Sequence, residues 1–440
     1  MKGTTYLWFI SLTATIGGLM FGFDMGIISG AIPFIQPYFG WNELQLGWGV
    51  SSILVGCIIG AFGTGSLTEK FGRKRLLIAV ALFFAISCAG MAMAHHVLFF
   101  IGFRVLGGLA VGAVSVLSPM YVAEVAPPRI RGTLVTIYQL AITMGILVSY
   151  LVNYALHDSD NNWRWMFATG MIPSVMFFTG LFFIPESPRW LAKAGFMEKS
   201  RGVLERIGGK EFATSELAEI KQSLAYTGPR SSFRIMFSPR YRKVITLSLL
   251  LAVLVQVTGI NTVVDYAPKI LMKAGLEIRN ALLQTSLIGL VNFTFTFIAV
   301  WLIDRLGRRT FYIIGSSGMA LTLLMIALAF HMDLDPAITI GSIILFIAFF
   351  ASCIGPAFWT LVAEMFPNRI RGQAVALASF TQWFFNFLVV LLFPFLLDIL
   401  SSSLTFTILA IMSVAQLMVS IFYLKETKGR TLEEIENLWN

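Results

Sequence analysis

Apolar stretches of roughly 20 residues, separated by short charged loops, recur along this chain of 440 residues. Each stretch can cross a hydrocarbon core roughly 30 Å thick, and in lipid a helix satisfies its own backbone hydrogen bonds. The composition agrees, with 57% hydrophobic and 12% charged residues, and the alternation of a transmembrane barrel is absent. We therefore predict an all-α membrane protein of about twelve spans. These lie near 6–32, 47–67, 76–94, 97–120, 133–155, 163–184, 243–271, 281–303, 311–330, 338–363, 373–397 and 404–424.

The basic residues are concentrated in alternate loops. The formal net charge is +9, from 32 Lys and Arg against 23 Asp and Glu. By the positive-inside rule those loops are cytoplasmic, which predicts a multi-pass protein of the inner (cytoplasmic) membrane with both termini inside. Topology accounts for the basic excess, so no nucleic-acid partner is implied. The residues that carry the signal are Lys70, Arg73, Lys74, Arg75, Arg129, Arg131, the basic residues of 189–243, Arg305, Arg308, Arg309, Arg369, Arg371, Lys425, Lys428 and Arg430.

The two halves of the sequence repeat one another. Residues 123–132, Ala-Glu-Val-Ala-Pro-Pro-Arg-Ile-Arg-Gly, recur at 363–372 as Ala-Glu-Met-Phe-Pro-Asn-Arg-Ile-Arg-Gly. Each copy ends an apolar run with a carboxylate and a helix-breaking proline, and two arginines follow. Two further pairs keep nearly the same offset, 72–74 with 307–309 and 185–189 with 425–430. The chain is therefore interpreted as a duplication.

The first and the fourth predicted spans each contain one charged residue. Asp24 falls near the middle of the first span and Arg104 early in the fourth. A charge in hydrocarbon is energetically costly, so each needs a partner, and the default expectation is a bundle-facing functional group. We predict that they pair and that Asp24 carries a proton. The alternative is a structural ion pair.

No pattern of a metal, redox or hydrolytic site is present. Cys57, Cys88 and Cys353 all lie inside apolar spans, where a free cysteine usually serves as a small buried hydrophobic residue. The four histidines lie in loops or at span ends, and none has a Glu at metalloprotease spacing. We predict no metal, no cofactor and no enzymatic activity.

Several motifs together resemble the sugar porter family of the major facilitator superfamily, including the proton-coupled bacterial symporters of xylose and galactose. A single Gly-Arg-Arg turn is typical of the superfamily, whereas the joint set in this order is specific to the family. The motifs are the turns at 72–74 and 304–309, Arg104 with Gly107-Gly108, the repeats at 123–132 and 363–372, and the segments 185–191, 259–261, 355–359 and 426–432.

This resemblance implies two pseudo-symmetric six-helix bundles that expose a central site to each side in turn, the architecture general to this superfamily. The implied domains are an N-terminal bundle at 1–186, a cytoplasmic linker at 187–242, a C-terminal bundle at 243–424 and a cytoplasmic tail at 425–440. Within the linker we predict short amphipathic helices, for example Met197–Gly208 and Ser215–Ala225. We expect a monomer in the lipid bilayer.

The resemblance also implies a set of cytoplasmic gate ion pairs that keep the inside closed while the outside is open. Exposed pairs contribute only about 0–1 kcal/mol each, so the set would have to act as a network. Its members are Glu69, Arg73, Glu124, Arg131, Glu186, Arg189, Asp304, Arg308, Glu364, Arg371 and Glu426.

Uncharged amides inside the spans match positions that bind sugar or line the cavity in the family. Amides both donate and accept hydrogen bonds, which suits sugar hydroxyls, and Trp359 offers a flat apolar face. The alternative for any one amide is a hydrogen bond between helices. The predicted substrate-binding residues are Gln139, Gln256, Asn261, Asn292, Trp359, Gln382 and Asn386.

Three positions depart from the family pattern. Val255 stands where a glutamine is usual, Asp265 precedes Tyr266 where two tyrosines are usual, and Ile146 replaces an amide. We predict a secondary transporter of a sugar or polyol, in symport with a proton carried by Asp24 beside Arg104. The departures leave open a non-sugar solute such as an organic acid or cation. An uncoupled sugar facilitator and coupling to sodium also stay open.

Overall fold

The computed structural model describes residues 3–127, 129–225, 238–366 and 370–428. Seven of the helices in the described residues precede the predicted linker. The predicted sixth span is divided in two at Gly170, which ends one helix and precedes the next. The helices are α1 (Gly3–Phe39), α2 (Glu43–Phe71), α3 (Arg73–Ala92), α4 (Val97–Val125), α5 (Arg131–Leu156), α6 (Asn162–Thr169) and α7 (Met171–Phe183).

In the described part of the linker two further helices follow, α8 (Pro188–Lys193) and α9 (Met197–Ala225). The Ser187 side chain caps α8 by accepting a hydrogen bond from the Trp190 backbone N–H. Gly209 interrupts α9 with φ 85°, next to Gly208, where the first of the two short helices was predicted to end. Residues 226–237, the rest of the predicted linker, lie outside the described residues, as does the predicted tail beyond residue 428.

After the predicted linker, the described residues form eight α-helices and one π-helical turn. Two predicted spans contain irregularities that the apolar pattern does not show. The seventh span breaks at Gly259, which has φ 85°, and the tenth contains the π-helical turn Phe350–Ile354. The helices are α10 (Arg242–Val257), α11 (Ile260–Lys273), α12 (Ile278–Leu306), α13 (Arg308–His331), α14 (Pro336–Phe349), α15 (Gly355–Glu364), α16 (Arg371–Ile399) and α17 (Ser401–Phe422).

Twelve segments of the described chain are helical, long and apolar enough to cross a membrane. Each overlaps one predicted span, so the all-α, twelve-span class is confirmed. The helices are longer than the apolar cores; α1, for example, runs from Gly3 to Phe39 rather than from 6 to 32. The three cysteines are free and buried, as the apolar surroundings in the sequence predicted.

Glycines allow the helices of the first half to approach closely. A Cβ on Gly22 of α1 would lie 1.8 Å from the Ile142 carbonyl oxygen of α5, and one on Gly145 would lie 2.2 Å from the Leu19 oxygen. Such separations exclude any side chain. Helices in lipid associate through packing of small residues rather than through a hydrophobic driving force, so these glycines set the α1–α5 contact.

The chain divides into two compact units. The first comprises Met1–Ile27, Ser52–Ser149 and Asp160–Arg230, and the second comprises Ile28–Ser51, Tyr150–Ser159 and Ser231–Asn440. Within the second unit, Tyr150 donates a hydrogen bond of 2.8 Å to the Val264 carbonyl oxygen. The predicted domain boundaries, which follow the sequence repeat, stay predictions.

Candidate functional site

Asp24 and Arg104 form an ion pair in the interior of the first unit. Arg104 Nη1 of α4 lies 3.0 Å from Asp24 Oδ2 of α1, and each side chain is 1% exposed. The other carboxylate oxygen, Asp24 Oδ1, is buried and has no hydrogen-bond partner among the described residues. Buried polar atoms nearly always have partners. The Oδ1 atom is therefore a position where a proton could bind without displacing an existing hydrogen bond.

Two of the predicted substrate-binding amides lie on either side of the helix break at Gly259 and are hydrogen-bonded to each other. Gln256 lies in the last turn of α10 and Asn261 in the first turn of α11, and Asn261 Nδ2 donates a hydrogen bond of 2.7 Å to Gln256 Oε1. A Cβ on Gly259 would lie 2.6 Å from Leu409 Cδ1, which together with its positive φ favours glycine. Broken helices form binding sites in many transporters because they present polar groups at membrane depth.

Asn386 of α16 is a second candidate group in the same unit. Its side chain is 4% exposed, and its Oδ1 atom has no hydrogen-bond partner among the described residues. A buried acceptor of this kind is available to a hydroxyl group or a water. The remaining amides, Gln139 in the first unit and Asn292 and Gln382 in the second, are half-buried. Among the described residues, no hydrogen bond joins these three amides to one another. Trp359 of α15 is 41% exposed.

The positions that depart from the family pattern are buried. Val255 is 2% exposed and Asp265 is 7% exposed, on either side of the break. The hydroxyl of Tyr266 donates a hydrogen bond of 3.0 Å to the Val390 carbonyl oxygen. Tyr150 lies within electrostatic range of the Asp265 carboxylate. The second unit therefore has an additional buried carboxylate near the polar break.

In the first unit, two glutamates organise the turn between α2 and α3. Arg73 Nη2 lies 2.7 Å from Glu124 Oε1. Glu186 Oε1 accepts backbone hydrogen bonds from Arg73 at 2.9 Å and Lys74 at 3.1 Å. Gly72 has φ 89° and ψ 172°, and a Cβ there would lie 2.4 Å from Glu186 Oε2. The turn glycine thus leaves room for the carboxylate.

The second unit has the same arrangement, residue for residue. Arg308 Nη2 lies 3.0 Å from Glu364 Oε1, and Glu426 accepts backbone hydrogen bonds from Arg308 at 2.9 Å and Arg309 at 3.1 Å. Gly307 has φ 88°, and a Cβ there would lie 2.5 Å from Glu426 Oε2. The sequence repeat therefore corresponds to a repeated hydrogen-bonding motif.

A hydroxyl completes each motif, and sequence reasoning missed both. Ser187 Oγ donates to Glu124 Oε2, and Thr427 Oγ1 donates to Glu364 Oε2 at 2.7 Å. The signal was present in the sequence, because a hydroxyl residue follows the glutamate in both Pro-Glu-Ser and Lys-Glu-Thr.

The remaining predicted gate residues are more exposed or lie outside the described residues. Glu69 pairs with Lys193, both half exposed, and its carbonyl oxygen accepts a hydrogen bond from Trp190 Nε1. Arg131 donates to the Ala126 carbonyl oxygen at 3.4 Å, and Arg189 is exposed. The side chains of Asp304 and Arg371 are not among those described.

Glu216 of α9, which the sequence analysis did not single out, interacts electrostatically with Arg131 and Arg189. The pKa of its carboxyl is raised above its ordinary value, chiefly because burial disfavours the charged form. Glu219 adds to the rise, whereas Arg131 and Arg189 oppose it. The linker helix therefore contributes a titratable acid within electrostatic range of two of the predicted gate residues.

Twelve apolar helices, a buried ion pair and a duplicated motif of charged turns define a polytopic helical membrane protein of the transporter class. Residues 10–439 match the family described as "Sugar (and other) transporter". The arabinose-proton symporter of Bacillus subtilis is 38% identical over 98% of this chain and 94% of its own length. The chain therefore belongs to this family.

Solved structures give the same fold. The inward-open xylose transporter of Escherichia coli matches with a TM-score of 0.89 and 36% identity, over 99% of this chain and 100% of that one. The proton:xylose symporter bound to 6-bromo-6-deoxy-D-glucose matches with a TM-score of 0.82 and 37% identity, over 99% of each chain. The fold is the major facilitator fold.

Proposed function

We propose that this protein is a secondary active transporter that moves a sugar or polyol in symport with a proton. The observation that carries this proposal is the Asp24–Arg104 pair, which places a carboxylate 1% exposed inside the spans. Such residues in membrane proteins usually belong to ion or proton pathways. The family relatives support it, because two of those described above are named as proton symporters of arabinose and xylose.

In this mechanism Asp24 takes up and releases the proton, and Arg104 stabilises the ionised carboxylate. Protonation of Asp24 removes the negative charge that faces Arg104 and so changes the strength of the α1–α4 contact. A proton gradient then biases the equilibrium between states of the transporter, because the two protonation forms favour different states.

The substrate is a polyhydroxylated molecule held by amides. Asn386 offers a buried acceptor without a partner among the described residues, and the Gln256–Asn261 pair offers a polarised hydrogen-bonding unit at the helix break. Trp359 provides an exposed aromatic surface for the apolar side of a sugar ring. Gln139, Asn292 and Gln382 complete the proposed set.

A second candidate is a transporter of a non-sugar solute with a donor-rich or cationic group. The specific observation that favours it is the buried Asp265 carboxylate, together with the apolar Val255 at a position where an amide is usual in the family. A buried acid favours a ligand that carries a donor or a positive charge.

The repeated charged turns act as the cytoplasmic gate in this proposal. Within each unit one glutamate, Glu124 or Glu364, pairs with an arginine side chain. A second glutamate, Glu186 or Glu426, accepts hydrogen bonds from backbone N–H groups of the turn. Charge-assisted hydrogen bonds of this kind are stronger than neutral ones. The basic loops support a cytoplasmic position for these turns, and both termini would then lie on that side of the inner membrane. We propose that a single chain is the transporting unit.

The experiment is uptake of labelled pentoses, hexoses and inositols into proteoliposomes, with and without an inward proton gradient. We expect one sugar to accumulate and the accumulation to disappear when a protonophore is added. Equilibration without accumulation would retain the sugar and reject the proton role of Asp24. No uptake of any sugar would favour the second candidate, and the panel would then be extended to cationic and acidic solutes.

A further inference from the structure

Three side chains of the second unit form a closed ring of hydrogen bonds. Lys269 Nζ donates to Glu43 Oε2 at 2.6 Å and to Gln36 Oε1 at 3.1 Å. Gln36 Nε2 in turn donates to Glu43 Oε1 at 3.1 Å. Both carboxylate oxygens of Glu43 and both polar atoms of the Gln36 amide are therefore used. We call Gln36, Glu43 and Lys269 the polar ring.

The polar ring is partly shielded from solvent. The side chain of Lys269 is 12% exposed and that of Glu43 is 24% exposed. Ion pairs that are freely exposed contribute little, because water and salt screen them. Removal of one partner from a shielded pair has a larger effect, because the remaining charge loses its counter-ion in a place where water replaces it only in part.

The loop between α1 and α2 holds two members of the polar ring in place. Gly40, with φ 64°, turns the chain, and the Trp41 backbone N–H donates to the Gln36 carbonyl oxygen at 3.0 Å. Asn42 and Gln45 bind each other's backbone N–H groups at 2.8 and 3.0 Å, which caps the start of α2. Gln36 and Glu43 are thus presented to Lys269 by a well-defined turn.

The polar ring joins segments that are far apart in the sequence. Gln36 and Glu43 belong to the first repeat and Lys269 to the second, with separations of 233 and 226 residues. They lie at the ends of α1, α2 and α11 opposite to the charged turns at Gly72 and Gly307. If those turns are cytoplasmic, the polar ring is at the outer side of the membrane.

We propose that the polar ring is an outer latch of the transport cycle. This rests on the proposed function, in which helices of the two repeats separate at one side of the membrane at a time. A contact between repeats at the outer helix ends has to break each time that side opens. The polar ring therefore sets how often the outward-open state forms.

The latch is tested with Lys269→Met, which keeps an unbranched side chain of similar length and removes its charge. Lys273→Met is the matched control, because Lys273 lies one turn later on α11 and donates to the Leu397 carbonyl oxygen, within the second repeat. The readout is amide hydrogen exchange of the purified protein in nanodiscs, without substrate and without a proton gradient.

For Lys269→Met we expect exchange at residues 36–45 and 150–159 to rise by about fivefold or more, the lower end of typical coupling between sites. Among the described residues the hydrogen bonds of the Lys269 side chain go to Gln36 and Glu43 and not to 150–159, so a rise at 150–159 reports concerted opening rather than local fraying. Exchange at 131–135 and 371–375 should fall, because opening of one side accompanies closing of the other. Lys273→Met should leave all four segments unchanged.

A rise confined to 36–45, or equal effects of Lys269→Met and Lys273→Met, would overturn the latch. A second test is the exchange of charges in Glu43→Lys with Lys269→Glu. Each single change should accelerate exchange, and the double change should return it to within about twofold of the original protein, as expected for directly coupled partners. If the double variant behaves like the singles, the ion pair does not hold the outer side. Because no sugar or gradient is used, this result is independent of the uptake experiment.

Discussion

Arg104 approaches Asp24 to 3.0 Å in the interior of the first unit, and only one of the two carboxylate oxygens takes part in that contact. An ion pair that leaves an acceptor unused differs from a purely structural bridge, in which all polar atoms are usually satisfied. The arrangement accounts for a carboxylate that can bind a proton while its arginine partner stays in place.

Asp24→Asn is expected to abolish accumulation while retaining exchange of sugar across the membrane. The amide keeps the volume of the side chain but cannot exchange a proton, so the gradient loses its effect on the carrier. Counterflow and gradient-driven uptake are measured in the same proteoliposomes. Asp398→Asn, at an exposed helix end, is the control and should accumulate normally. Accumulation by the Asp24 variant would show that another group carries the proton.

Arg104→Met is expected to lower the free energy of unfolding by about 3–5 kcal/mol, because a buried carboxylate is left without its counter-ion. The double variant with Asp24→Asn removes that charge and should recover most of the loss. Thermal unfolding in detergent gives both values. A double variant as unstable as the single one would mean that Arg104 acts through packing and not through Asp24.

Gly72→Ala is expected to lower the free energy of unfolding by about 1–3 kcal/mol, because its φ of 89° and ψ of 172° are almost restricted to glycine. Its Cβ would also collide with the Glu186 carboxylate. Gly63→Ala is the control, since a Cβ on this helical glycine has no atom within 4 Å. Equal thermal stability of the two variants would contradict the strained turn.

Val255→Gln is expected to raise the apparent sugar affinity about threefold to tenfold, the equivalent of one additional hydrogen bond. The new amide would stand beside Gln256 at the helix break. Binding is measured by competition with labelled sugar, and Val255→Leu serves as an apolar control. If the glutamine variant neither strengthens nor redirects binding, this position does not determine selectivity.

Glu216→Gln is expected to stabilise the protein at neutral pH and to have little effect near pH 4. The folded pKa of Glu216 is raised above its ordinary 4.5, so the folded chain binds more protons than the unfolded chain between the two values. The stability associated with this group is therefore present below pH 4.5 and is lost as the pH rises through the raised value. Thermal unfolding from pH 4 to 7.5 measures it. A less stable glutamine variant at neutral pH would mean that attraction to Arg131 and Arg189 prevails.

The sequence was sufficient for the spans, the duplication and the pairing of Asp24 with Arg104. These depend on hydrophobic length and on the energetic cost of isolated charges in lipid, both of which are local properties. The break at Gly259 was not predicted because the apolar run continues across it, and a single positive φ leaves no periodic signal.

The polar ring was also missed, since it depends on contacts more than 220 residues apart. Its signal was a lysine inside a predicted span, Lys269, which lies within the apolar run at 243–271. The sugar-binding role of the amides stays a prediction: hydrogen bonds among the described residues join Gln256 with Asn261 but not the others.

The π-helical turn Phe350–Ile354 accommodates one more residue than an α-helix of the same rise. Each residue of an α-helix rotates the chain by about 100°, so deletion of one residue from this turn would swing every later side chain of the span around the axis. The direction in which Trp359 faces therefore depends on an insertion rather than on any single substitution. Aligned residue identities alone would overlook this determinant, whereas alignment gaps would reveal it.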